Sequence, residues 1–126
     1  MKTARPQIFN VSHRLAERAA ESWATRTTKA SIDPRWRRKD REAWTARDWA
    51  ALRRAFEAGI TWMLKPFRQV CGFDRGPTAV EVDKAWRAAR KELRGGEETL
   101  RRALEVAWHS GRVFLELWIQ RQRFPE

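Results

Sequence analysis

Residues 45–67 read TARDWAALRRAFEAGITWMLKPF, and their spacing predicts the clearest amphipathic helix in the chain. Large apolar side chains recur every three or four residues, which places them on one face of an α-helix. These are Trp49, Leu52, Phe56, Ile60, Met63 and Phe67. Thr45 and Asp48 form a capping-box-like start. Gly59 weakens this helix, and Pro66 is expected to end or kink it.

Two helices are predicted upstream of this stretch. The first covers about 12–30, with Ser12 as its N-cap, because apolar residues recur on one face. They are Leu15, Ala19 and Trp23. The second is short, at about 34–44. Asp33 precedes Pro34 there, and aspartate caps helices while proline is tolerated in the first turn.

A further helix is predicted over about 79–94. Thr78 and Glu81 have the spacing of a capping box at its start, and Gly95-Gly96 stops it. Its core-facing side chains are expected to be Val82, Trp86, Ala89 and Leu93.

The last predicted helical segment covers 97–124. Glu97 and Glu98 stand at its start, where the helix dipole favours negative charge. Its predicted buried stripe is Leu100, Leu104, Ala107, Gly111, Phe114 and Trp118. Ser110-Gly111 could divide the segment into two helices, or Gly111 could let another helix approach closely. We favour one long helix.

These segments predict an all-α fold, a compact bundle of about five helices that could contain a helix-turn-helix-like unit. The 126 residues suffice for one domain, and 42% apolar composition argues against disorder. We therefore expect a single helical domain over 1–126, in which 1–11 form a flexible N-terminal arm. Nothing in the sequence approaches a membrane span or a secretory signal, which favours a cytoplasmic location.

The net charge is the strongest functional indication in the sequence. The formal charge is +11, the isoelectric point is about 11.3, and arginine is the commoner basic residue. A polyanionic partner would relieve the repulsion within so basic a chain. Nucleic acid is the first candidate, followed by an anionic membrane surface and an acidic protein.

Two groups of cations are candidate phosphate contacts. On the predicted helix 79–94, five cations lie opposite the apolar face: Lys84, Arg87, Arg90, Lys91 and Arg94. Glu81 and Glu92 flank them. The second group surrounds the short helix at 34–44: Arg35, Arg37, Arg38, Lys39 and Arg41. Trp36 there could anchor in the core or stack on a base. Either group could also be an ordinary solvated helix surface.

Residues 44–62, WTARDWAALRRAFEAGITW, resemble the first half of a Myb/SANT-like repeat, and 76–86, GPTAVEVDKAW, resemble the opening of its third helix. Such repeats are tri-helical helix-turn-helix units whose third helix enters the DNA major groove. The resemblance covers 44–94 and implies DNA contact by Lys84, Arg87, Arg90 and Lys91. Three features depart from the family: the interval from Trp62 to Trp86 is longer, Pro66 falls where the short second helix of the repeat should run, and Trp62 falls off the apolar stripe of its helix.

Catalytic and metal-binding patterns are missing from the sequence. His13 and His109 are the two histidines, and His109 is expected to face solvent because it lies opposite the apolar stripe of its helix. Cys71 has no histidine or aspartate at a suggestive spacing, and no metal-ligand spacing or phosphate-binding glycine motif occurs. We therefore expect no enzymatic activity, no cofactor and no bound metal.

The sequence predicts a small basic protein that binds nucleic acid, with DNA favoured over RNA. The alternative is an adaptor or inhibitor of the kind encoded by phages and other mobile elements. Such a protein would turn its basic, tryptophan-rich surface toward an acidic protein or a ribonucleoprotein, since tryptophan and arginine are enriched at binding hot spots. Oligomeric state and base specificity stay open.

Overall fold

The structure of the chain is a computed structural model, which describes residues 11–29, 44–65, 78–93 and 98–123. All regular structure within these ranges is α-helical. The helices are α1 (His13–Lys29), α2 (Ala46–Met63), α3 (Ala79–Ala89) and α4 (Glu98–Arg123). The all-α prediction is therefore confirmed for the described residues. Residues 34–43 of the short helix predicted at 34–44 lie outside them, and Trp44 is not helical.

The start of α1 matches its prediction. The Leu15 amide donates a hydrogen bond to the Ser12 hydroxyl over 3.2 Å, as an N-cap requires. Trp23 is 2% exposed and is joined in the core by the alanines of the same face: Ala16, Ala19, Ala20 and Ala24. Val11, at the end of the predicted N-terminal arm, is partly buried against this core, and residues 1–10 lie outside the described part.

The sequence that predicts α2 folds as expected. The Thr45 hydroxyl accepts a bond from the Asp48 amide (3.2 Å), and the Asp48 carboxylate accepts one from the Thr45 amide (2.9 Å), which completes the capping box. The helix ends at Met63, short of Pro66. The predicted stripe is buried at Leu52, Phe56, Ile60 and Met63 and partly buried at Trp49, while Phe67 lies outside the described residues.

The third helix is shorter than its sequence predicts. The Thr78 hydroxyl caps it by accepting a bond from the Glu81 amide over 3.2 Å. It ends at Ala89 rather than near residue 94, and turns follow over 90–93. In these turns the Glu92 amide bonds three residues back, to the Ala89 carbonyl, over 3.0 Å. The predicted inner face is confirmed, with Trp86 buried and its companions partly buried: Val82, Ala89 and Leu93.

The last segment forms one continuous helix, as favoured above. α4 passes through Ser110 and Gly111 without a break. Its predicted stripe packs inward, with Phe114 and Trp118 partly buried. A second row of buried residues on α4 was not predicted: Ala103, Trp108, Leu115 and Ile119.

A reciprocal contact between two glycines fixes how closely α2 and α4 approach each other. A methyl group placed on Gly59 would collide with the Trp108 carbonyl oxygen and lie 2.9 Å from the Arg112 amide nitrogen. A methyl group placed on Gly111 would collide with the Phe56 carbonyl oxygen. The two backbones therefore touch directly. Gly59, predicted to weaken α2, is instead required for its packing.

Trp108 is the centre of the core. It is 1% exposed, and its ring lies 5.4 Å from that of Trp62 and 5.9 Å from that of Trp86 between centroids. The prediction that Trp62 lies off the packed face of its helix is wrong. α4 covers a wider part of the α2 surface than the main apolar stripe, and this part includes Trp62. α2 packs chiefly on α4 and secondarily on α1. No helix among the described residues is long and apolar enough to cross a membrane.

The glycine contact makes a prediction for stability. Replacing Gly111 by alanine is expected to lower the free energy of unfolding by roughly 1–3 kcal/mol, because the methyl group forces α2 and α4 apart. At an exposed helical site the same change from glycine to alanine would raise the free energy of unfolding by about 1 kcal/mol. Urea denaturation measures the difference. Ser110→Ala, at the neighbouring half-buried position, is the control, and an unchanged or more stable Gly111→Ala protein would contradict the close contact.

Candidate nucleic-acid interface

The predicted phosphate-binding helix is attached to the core through Trp86. This side chain is 7% exposed and lies 5.9 Å from Trp108 and 6.2 Å from His109 between ring centroids. Burial of one aromatic side chain contributes about 1.5–3 kcal/mol, so it sets which side of α3 faces inward. The opposite side is thereby presented to solvent.

The cations predicted for that outer side are exposed where the structure describes them. Lys84 and Arg87 lie on α3, and Arg90 and Lys91 lie on the turns that follow it. We call these four residues the basic row. Because α3 ends at Ala89, the row runs over a helix and then a turn, rather than along one straight helical face.

An acidic residue that sequence reasoning missed lies beside the basic row. The Asp83 carboxylate is 3.1 Å from Arg87 Nε, and both side chains are more than half exposed. An ion pair this exposed contributes at most about 1 kcal/mol, so a phosphate could displace Asp83 from Arg87 at little cost. The four-residue spacing of Asp83 and Arg87 is a sequence signal that could have revealed this pair. Glu81 and Glu92 are exposed nearby, as predicted.

The remaining predicted contacts lie outside the described residues. These are Arg94 and the cluster at Arg35, Arg37, Arg38, Lys39 and Arg41. The prediction for them stays a prediction. The structure thus brings together four of the predicted site residues and describes none of the other six.

His109 does not face solvent freely, contrary to its prediction. Its side chain is 32% exposed, and its ring packs edge-on to Trp108 at 5.0 Å and near Trp86. Burial lowers the pKa of His109 below its ordinary value, and the positive charge of Arg112 adds to this effect. Glu105 and Asp83 act in the opposite direction. The prediction failed because it treated α4 as an isolated helix, whereas α3 covers this position.

Arg112 is a cation that the fold withdraws from the surface. Its side chain is 16% exposed and its Nη1 lies 3.4 Å from Glu116 Oε2. Its Nε atom is buried without a hydrogen-bond partner. Burial lowers the pKa of Arg112, and Glu116 opposes that shift. Arg112 is therefore a poor candidate for contact with a partner, although the sequence counts it in the net charge.

A groove between α1 and α4 was not predicted from the sequence. It has a volume of about 840 Å³ and an apolar floor formed by Trp23, Phe56, Val106, Phe114 and Trp118. Arg26, Arg102 and Arg121 stand at its polar edges, together with Glu105. We call this the α1–α4 groove. Its sequence signal is a second series on α4 at a spacing of four, three and four residues: Val106, Ser110, Val113 and Leu117.

The described residues show no group of three or more histidine, cysteine, aspartate or glutamate side chains that could hold a metal ion. His13 pairs with Glu17 at 2.6 Å on the exposed side of α1. Cys71 lies outside the described residues. The surfaces that stand out are therefore the basic row and the α1–α4 groove.

The burial of His109 makes a prediction for pH dependence. Its pKa is lower in the folded chain than the ordinary 6.5, so the unfolded chain takes up the proton first. The stability due to neutral His109 is therefore complete above pH 6.5 and is lost as the pH falls through the folded pKa. Urea unfolding across this range should show a smaller pH dependence in His109→Gln than in the unmodified chain. His13→Gln is the matched control, and an unchanged slope in His109→Gln would contradict the burial.

Comparisons with family models, with curated proteins and with solved structures find no match to this chain. A functional conclusion therefore has to come from the chemistry of the two surfaces described above.

Proposed function

We propose that this chain is a cytoplasmic, non-enzymatic protein that binds nucleic acid, duplex DNA in preference to RNA, through the phosphates. The observation that carries the proposal is the exposure of Lys84 and Arg87 on α3 and of Arg90 and Lys91 on the turns that follow it, in a segment that buried Trp86 holds against the core. Phosphate contacts made by such cations position a protein on a duplex without reading its sequence.

The overall charge supports this proposal. Each phosphate neutralised by lysine or arginine releases a condensed counterion, and this release drives most non-specific DNA binding. A chain of formal charge +11 also attracts a polyanion over distances comparable with the Debye length, about 8–10 Å near physiological salt. The charge thus favours both the affinity and the rate of encounter.

The basic row does not account for the whole interaction. Three carboxylates share its segment: Glu81, Asp83 and Glu92. The segment is therefore only weakly positive, and DNA binding requires cations from elsewhere in the chain. We assign this auxiliary role to Arg94 and to the cluster at Arg35, Arg37, Arg38, Lys39 and Arg41. The basic row makes the contacts that hold and orient the duplex, and the auxiliary cations add to the attraction.

The packing of the tryptophans is compatible with the Myb/SANT-like resemblance. Trp44 is partly buried and packs edge-on against Trp49 with centroids 5.3 Å apart, while Trp62 and Trp86 both contact Trp108. α3 would occupy the position of the third helix, whose outer side contacts DNA. Trp108 comes from α4, beyond the stretch that resembles the repeat. We therefore propose that a helix-turn-helix-like unit here is completed by α4.

The salt dependence of binding tests the proposal. Affinity for a short DNA duplex, followed by fluorescence anisotropy, should fall with salt at a logarithmic slope of about −3 to −4 for four phosphate contacts, and more steeply if the auxiliary cations take part. The triple variant Arg87→Glu, Arg90→Glu, Lys91→Glu should abolish binding. Undetectable binding of the unmodified chain at low salt would contradict the proposal.

A second triple variant separates a local site from a general charge effect. Arg14→Glu, Arg18→Glu and Arg54→Glu change the net charge equally, at exposed positions on α1 and α2. This control should keep most of the affinity if the basic row is the contact surface. Equal losses in the two triple variants would show that α3 has no special role. Thermal unfolding of both variants confirms that they are folded.

Removing the acidic residue beside the basic row provides a test by gain of function. Asp83→Asn should raise the affinity for duplex DNA by roughly two- to fivefold at low salt, because a negative charge near the phosphates is lost and Arg87 is released from its ion pair. The control is Glu17→Gln, which makes the same charge change on α1. If both variants gain DNA affinity to the same extent, the effect is due to net charge alone.

A further inference from the structure

We propose that the α1–α4 groove is a docking site for an amphipathic helix of a partner protein, one that carries carboxylates beside its apolar stripe. This surface and its occupant are separate from the basic row and from nucleic acid. The proposal stands on the shape, the exposed apolar side chains and the charge of the groove.

The length and regular lining of the groove suit a helix. Its α4 side runs from Arg102 to Arg121, which at 1.5 Å per residue is roughly 28 Å. Along it, Val106, Ser110, Val113 and Leu117 follow the alternating spacing of four and three residues by which one helix offers a seam to another. Recognition of an amphipathic helix in an apolar groove uses anchors at this same spacing.

The groove contains apolar surface that is exposed in the part of the chain that the structure describes. Val113 is 40% exposed and Leu117 is 48% exposed, and both line the groove. The other large apolar side chain that is exposed in the described structure, Val80, lies apart from them on α3. Two neighbouring aliphatic side chains above an aromatic floor form a continuous patch, and such patches mark interaction sites more often than single exposed residues do.

The positive charge at the edges of the groove determines which kind of partner helix it favours. Arg26, Arg102 and Arg121 line the groove, and Arg26 Nε lies 3.4 Å from the Ser22 carbonyl oxygen, which holds this guanidinium near the α1 edge. Among the described side chains that line the groove, Glu105 is the one acidic group. A second copy of this chain would bring like charge, with +11 on each partner, so self-association is disfavoured. A helix flanked by glutamate or aspartate would complement the arginines.

The apolar lining argues against duplex DNA in the same place. The bases of a duplex are already paired and stacked, so the aromatic floor cannot stack on them, and Val113 and Leu117 offer no hydrogen-bond donor to a phosphate. Duplex DNA presents its charged backbone outward, and seating it here would desolvate phosphates against aliphatic groups. An acidic amphipathic helix is therefore the partner that complements both the apolar floor of the groove and the arginines at its edges.

Synthetic peptides test the proposal directly. The probe is a dye-labelled peptide of about 18 residues, roughly 27 Å as a helix, with leucines at the spacing of the groove and glutamates beside them. Fluorescence anisotropy with the full chain should show saturable binding of this peptide. A counterpart with lysine in place of every glutamate should not bind, and neither should a scrambled peptide of the same composition. Absent binding of the glutamate peptide, or equal binding of all three, overturns the proposal.

Substitutions in the groove locate the binding. Leu117→Glu and Val113→Glu should each weaken peptide binding at least about tenfold, because each places a like charge on the apolar seam. Both positions are exposed, so the fold is expected to tolerate them, and circular dichroism checks this. Val80→Glu is the matched control and should leave the peptide affinity unchanged. Unchanged affinity in Leu117→Glu and Val113→Glu, or an equal loss in Val80→Glu, overturns the assignment.

The same variants keep this proposal distinct from DNA binding. Peptide binding is measured without nucleic acid, so a failure of the chain to bind DNA does not affect it. Leu117→Glu should lower DNA affinity less than Val80→Glu does, since the two variants make the same charge change and Val80 lies on α3, which carries part of the basic row. If duplex DNA displaces the peptide and Leu117→Glu selectively weakens DNA binding, the groove belongs to a nucleic-acid surface and the docking proposal is overturned.

Discussion

The direct contact of two helix backbones at Gly59 and Gly111 is the constraint on which the rest of the described structure depends. Because neither glycine carries a side chain, the Trp108 carbonyl lies against α2 and the Phe56 carbonyl lies against α4. This closeness brings Trp62 onto Trp108 and leaves that ring within reach of Trp86. The position of α3, and with it the direction in which the basic row points, follows from the same contact.

Local signals in the sequence predicted the helices well. The capping residues Ser12, Thr45 and Thr78 each act at a helix start, and α4 is one helix as its continuous spacing indicated. Features that arise between helices were not predictable in this way. A helical wheel assigns one inner face to each helix and says nothing about where the neighbouring helices lie. Trp62 and His109 are covered by such neighbours, so the wheel could not predict their burial.

The candidate site was predictable only in part, for a related reason. The burial of Trp86 and the exposure of the four cations in the basic row were both expected from the sequence. The presence of Asp83 beside the row was a local feature that attention to four-residue spacing would have revealed. The α1–α4 groove could not be predicted, because it requires the relative placement of two helices separated by most of the chain. His109 connects the two surfaces, since it lines the groove and also contacts Trp86.

The attachment of α3 has a consequence for the dynamics of the chain. It is the shortest of the described helices, and Trp86 is its one buried side chain, whereas α2 and α4 share an extensive interface. A helix held in this way opens as a separate cooperative unit, at a smaller free-energy cost than global unfolding. A ligand that binds α3 would therefore slow hydrogen exchange at its backbone amides first. Backbone amides in α2 and α4 exchange through global unfolding, so the ligand would slow their exchange much less.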